Sequence, residues 1–250
     1  MTNNIVVISQ RSTTKVAGFI FLLIVIGWVL NWTLVDSKLS VAGNVTATVN
    51  NIMANEQLFR FGIINELILS ASGLVLAVAL YIILKPVNKN FALLALCLKM
   101  VEASIAIVNV LFTFIVLQML NGKAYLTVFK PEQMQDIAGL FFNIRSNGAT
   151  ISMLFLGLGF MVFFYLLYKS KYVPGILAGF GFLSYLLILV NSLLNILVPQ
   201  NAAVMTMVNA ISMILMTPSI LFELTIGIWL LIKGINIQLQ DNPAPEYVLR

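Results

Sequence analysis

Histidine is absent from the 250 residues and cysteine occurs once, as Cys97. Without histidine the chain lacks the commonest general base, the commonest zinc and haem ligand, and the side chain that ordinarily titrates near neutrality. Catalytic triads that turn on an imidazole are excluded outright. A lone cysteine closes no bridge within the chain, which excludes a disulfide-stapled secreted module. Charge is scarce as well: 9% of the residues are Asp, Glu, Lys or Arg, where a soluble globular chain carries roughly 25%. So little charge cannot build a water-facing surface, and the chain must face lipid.

What fills the gap is apolar, with 60% hydrophobic residues and a mean hydropathy of +1.01. That excludes a disordered chain and leaves an all-α polytopic membrane protein. Lysine and arginine total 14 against 9 acidic residues, a net charge of +5 that could suggest nucleic acid. The cations stand singly or in pairs between apolar runs, however, so no nucleic-acid partner is expected and the excess is topological.

A hydrocarbon core about 30 Å thick takes about 20 helical residues. Six runs of that kind occur, at about 16–35, 61–84, 91–120, 145–168, 174–198 and 202–233. They make one transmembrane domain, 16–234, between an N-terminal segment, 1–15, and a tail, 235–250. The first run, read through to Val35, is a full span rather than a cleaved signal peptide. Apolar Ile137–Phe142 extends the fourth run outward. Pro174 suits a helix start and Pro199 a stop, while Pro218 inside the sixth run predicts a kink.

Arg11 and Lys15, Lys85 and Lys89, Lys169 and Lys171, and Lys233 all fall on one side if the spans alternate. Cationic flanks are retained in the cytoplasm, so both termini are expected inside, in a cell membrane. The opposite loops carry Lys38, Arg60, Lys123 and Lys130, offset by Asp36, Glu56, Glu132 and Asp136. In the first of these loops, Val49, Ile52, Met53 and Phe59 recur at near-helical spacing over Ala47–Phe59. This predicts a short helix capping the bundle, with a helix lying on the outer membrane surface as the alternative. Asn44-Val45-Thr46 is a glycosylation triplet in the same loop.

An ionisable side chain within a span costs roughly 2.5–3.5 kcal/mol at the centre on insertion scales. Five such residues occur: Glu66, Lys99, Glu102, Arg145 and Glu223. On the third span Lys99, Glu102, Ala106, Asn109 and Thr113 recur at steps of three and four, which is one helical face. Asn209, Ser212, Ser219, Glu223 and Gly227 make a comparable stripe on the sixth, and Gly181, Ser184, Asn191 and Asn195 on the fifth. These faces are expected to turn inward. Close approach of helices explains the small residues, such as Gly73 with Ala77 or Gly175 with Gly179; it does not explain charge. Lys99 and Glu102 can pair along their helix. If Glu223 lies beside them, one ammonium serves two carboxylates and Glu102 or Glu223 titrates. Glu66 and Arg145, near the outer ends of their spans, form a second candidate pair.

Three functions are compatible with this pattern. The first is a non-catalytic bundle that binds membrane lipid, another protein or a second copy of itself. The second is a small proton-coupled carrier using Glu102 and Glu223, although no inverted repeat is present. The third, an intramembrane lipid-modifying enzyme, has no nucleophile elbow, metal-ligand cluster or paired intramembrane aspartates to support it. No metal and no cofactor is expected.

The segments FRFGIINELI from Phe59, ILKPVNKN from Ile83, LALCLKMVEASI from Leu94, KSKYVPGILAG from Lys169 and FELTIGIWLLIKG from Phe222, in this order and spacing, resemble a bacterial integral membrane family known as domain of unknown function 4386. The resemblance covers about Thr14 to Gly234. It implies a six-helix membrane protein with no established activity, and family-like residues at Lys99, Glu102, Glu223 and Lys233. The chain departs at Arg145 and Gly159, where relatives often carry histidine, so a histidine-dependent role does not transfer.

Overall fold

The computed structural model describes residues 2–121, 130–198 and 202–236. Pro199, Lys123 and the tail beyond Asn236 lie outside these. Every regular element among the described residues is helical: α1 (Thr2–Leu30), α2 (Val45–Ala54), α3 (Glu56–Leu84), α4 (Lys89–Asn121), α5 (Pro131–Ser170), α6 (Gly175–Leu197) and α7 (Ala202–Ile232). Six of them are long and apolar enough to cross a membrane. Near its end α1 widens into a π-helical turn at Asn31–Asp36 and closes at Leu39.

The helices outrun the apolar segments because polar residues with good local bonding continue them. Residues 2–15, expected as a separate segment, are the first turns of α1, where the Thr14 hydroxyl bonds Gln10 O at 2.8 Å. Pro131 at the first position of α5 needs no amide partner, and Gln133 Oε1 accepts the Lys130 amide at 3.0 Å. The 40 residues of α5 therefore reach about 60 Å, twice the hydrocarbon thickness. Pro218 does not end α7; helix continues on both sides of it, and the Thr217 hydroxyl bonds Met213 O at 2.7 Å.

The short loop helix is α2. Asn44 caps it, its Oδ1 accepting the Ala47 amide at 2.9 Å, so the side chain of the glycosylation triplet is already engaged. Val49 and Ile52 are buried while Met53 is exposed, and α2 packs on α5. It caps the bundle. Phe59 belongs to α3, because Asn55 ends α2 and Glu56 starts the next helix.

Each long helix packs on its successor, α1 on α3, α3 on α4, and so on to α7, which returns to α1. The six spans thus form a closed ring in chain order. The α1–α7 seam is a close approach of backbones: a Cβ on Gly18 would stand 2.8 Å from Gly227 O and 2.9 Å from Leu231 N. Gly73 and Gly179 are not such seams, since a Cβ on either would meet nothing within 4 Å; α3 packs through Leu76, Ala77 and Leu80 instead.

One half of the ring is filled by rings. Phe160 and Phe164 of α5 stack at 5.6 Å and meet Phe21 of α1, Tyr185 of α6 and, from Phe164, Phe222 of α7. Burying each of these side chains removes on the order of 150–250 Å² from its surroundings. The other half packs Val35, Leu39, Ile63, Val116 and Leu117 beneath α2.

Candidate functional site

Lys99 stands about ten residues from the start of α4, Tyr185 about ten from the start of α6, and Phe160 and Glu223 about ten from the ends of α5 and α7. At 1.5 Å per residue all four lie about 15 Å deep from one face, half the hydrocarbon thickness.

The Lys99 side chain is 2% exposed, and its Nζ lies 2.7 Å from Glu102 Oε2. The same ammonium lies 4.4 Å from the centre of the Phe160 ring, a cation–π contact that partly replaces lost hydration. Phe160 in turn packs on Tyr185 with ring centres 4.4 Å apart. The Tyr185 hydroxyl donates to Glu223 Oε1. Glu102, Lys99, Phe160, Tyr185 and Glu223 therefore form a continuous path through α4, α5, α6 and α7.

The three ionisable residues share this path without meeting as one cluster. Glu223 feels the Lys99 charge, yet its bonding partner is Tyr185, which the pattern of charges along the spans does not mark. Tyr185 carries no charge and sits beside Ser184 on the stripe. Its signal was countable: a phenol at the same depth as Lys99, in a span where a buried hydroxyl needs an acceptor.

Gly159 makes the arrangement fit. A Cβ there would lie 3.0 Å from Lys99 Cγ and 3.2 Å from Cδ, so a side chain at 159 would press on the lysine stem and require it to give by a few tenths of an ångström. Ser152 of α5 donates to Glu102 O at 3.2 Å, tying the same pair of helices one turn further on.

The supporting stripe divides. Asn191, Asn195 and Ser212 bond one another between α6 and α7, Ser212 Oγ to Asn191 Oδ1 at 2.6 Å and Asn195 Nδ2 to Asn191 O at 2.8 Å. Asn109 packs on Gly148, where a Cβ would fall 2.2 Å from its Oδ1. Among the described residues Thr113 and Ser219 bond within their own helices, at Asn109 O and Met216 O. Asn209, placed on the inward stripe by its spacing, is exposed.

The outer pair forms as an ion pair between Arg145 of α5 and Glu66 of α3. Arg145 also attracts Asp36, which accepts from Asn31 Nδ2 at 3.3 Å. Asn65 bonds Gly27 O at 3.0 Å and Asn31 Oδ1 at 3.3 Å beside them. Asp36 looked like a loop residue because the apolar run stops at Val35; the π-helical turn carries it into the bundle.

Among the described residues no group of three His, Cys, Asp or Glu side chains could hold a metal. Lys99, on the Phe160 ring, and Glu223, on the Tyr185 hydroxyl, each have a partner that joins one helix to another.

These features define a polytopic α-helical membrane protein, a ring of six spans with charge held inside it. The chain belongs to the family described as Domain of unknown function (DUF4386), which matches residues 16–234 and so takes in all six apolar segments. No curated protein and no solved structure matches it.

Proposed function

We propose that the chain is a non-catalytic bundle of the cell membrane that binds membrane lipid, with its internal charges acting as a lock between helices. The observation that carries this is the double closure at mid-depth: Lys99 is held by Glu102 and Phe160, and Glu223 by Tyr185, in rings that are themselves buried. A carrier would need a wetted route to one of these carboxyls, and an enzyme would need one of them to reach a substrate.

In liposomes loaded with a pH-sensitive dye and given an imposed ion gradient, the purified chain is expected to pass protons no faster than protein-free liposomes. Proton flux that the Glu223→Gln variant abolishes would replace this reading by the proton-coupled carrier.

The membrane domain spans 16–234 with both ends of the chain in the cytoplasm, the arrangement supported by the lysines that flank α3, α4, α5 and α7. A fluorescent-protein fusion at Asn88 should be bright and an alkaline phosphatase fusion there inactive. An active phosphatase would invert the ring in the membrane.

A further inference from the structure

Where α5 turns into α6, and α7 ends beside that turn, the surface opens into a pocket of about 720 Å³. Its walls combine Lys171 and Lys233 with Tyr168, Tyr172, Trp229 and Gly175. Both lysines are exposed, and no described carboxylate pairs with either. Lys233 Nζ rests 4.6 Å from the centre of the Trp229 ring, so the aromatic wall holds its charge at the mouth. Lys171 has φ 56°, the left-handed region that favours glycine and is uncommon for a lysine. A lysine there costs the backbone energy that glycine would not, which suggests that the ammonium is needed at that place.

Sidedness alone requires cations near span ends; it requires neither a cavity between them nor a left-handed lysine. The polar backbone around the pocket also favours an anion. Three carbonyls of the lining residues are already taken: Trp229 O accepts the Lys233 amide at 2.8 Å and the Gly234 amide at 3.2 Å, Tyr168 O the Lys171 amide at 3.4 Å, and Tyr172 O the Asn236 amide at 3.0 Å. The amides of Gly175, Ile176 and Leu177 precede the first bond of α6, from Ala178 N to Pro174 O at 3.1 Å, and no side chain caps them. Two ammonium groups, uncapped amides and a tyrosine–tryptophan wall at the membrane–water boundary match a phosphate ester whose acyl chains run down the bundle.

We infer that this pocket binds the phosphate headgroup of an anionic phospholipid. The inference rests on the lipid-binding reading above and gives it a place and a ligand class. The chemistry would also accept free phosphate, so both sources enter the test.

The full-length chain in detergent, titrated with phosphatidylglycerol, phosphatidylcholine or inorganic phosphate and followed by native mass spectrometry, should take phosphatidylglycerol in preference. Each lysine near a membrane surface is worth about fivefold in affinity, so Lys171→Gln and Lys233→Gln together should weaken phosphatidylglycerol binding about 25-fold. Lys85→Gln with Lys89→Gln, at another corner of the same face, should leave it unchanged. Lys171→Gly, which relieves the backbone, should keep or raise the melting temperature and still lose about fivefold in lipid affinity.

Phosphatidylglycerol binding that survives loss of both pocket lysines, or that falls equally with Lys85 and Lys89, overturns the site while sparing lipid binding itself. Inorganic phosphate that binds as tightly as phosphatidylglycerol overturns the lipid assignment. A wild-type chain that takes up neither lipid overturns the underlying reading as well.

Discussion

Lys99→Met should be among the most damaging substitutions in the bundle, costing about 3–5 kcal/mol, the range for removing one partner of a buried ion pair. The ammonium is 2% exposed and closes on Glu102 at 2.7 Å, while its charge also reaches Glu223. Methionine fills much the same volume and keeps the contact with Phe160, so the loss is electrostatic rather than steric. Two half-buried carboxyls, Glu102 and Glu223, would be left at mid-depth with no cation described near them.

The double variant Lys99→Met with Glu102→Leu separates the worth of the pair from the harm of breaking it. Replacing both partners of a buried pair by apolar groups is often neutral or stabilising, so this variant should recover most of the loss, with Glu223 still held by Tyr185. Equilibrium unfolding in mixed micelles reads both. A cost below about 1 kcal/mol for Lys99→Met, typical of solvated surface pairs, would show that the lysine is wet.

Gly18→Val should rival it by a different route. The obstacles to a Cβ are backbone atoms, Gly227 O at 2.8 Å and Leu231 N at 2.9 Å, which cannot rotate aside as a side chain can. Overpacking costs about 1–3 kcal/mol and occasionally more, and this site belongs at the top of that range because α1 and α7 must separate along their length. Gly73→Val, a matched change where a Cβ meets nothing within 4 Å, should stay within about 0.5–1 kcal/mol, the ordinary difference in helix propensity. Thermal midpoints of the two variants in the same detergent give the comparison, and equal midpoints would mean that the α1–α7 seam is not tight.

The number of spans was legible because twenty-residue apolar runs have one physical solution in a bilayer. Their ends were not. Helices carry on through polar residues such as Gln133 and Asp36, and hydropathy is silent on where a cap forms. The Lys99–Glu102 pair could be read from a spacing of three on one helix. The link from Glu223 to Tyr185 could not, because it depends on which helices are neighbours, and ring order follows from packing surfaces rather than from composition. Gly73 shows the same limit: a small residue permits close approach but does not say that a neighbour comes.

The cyclic packing also bears on how the protein is made. Five of the six seams join helices that leave the ribosome one after the other, so each newly inserted helix finds its partner waiting. The sixth joins α1 to α7, and Gly18 must wait in the bilayer until nearly all the described chain has been synthesised. During that interval the unfinished bundle is an open arc with two unsatisfied edges, the stage at which a quality-control protease or an insertion chaperone would find the most to grasp.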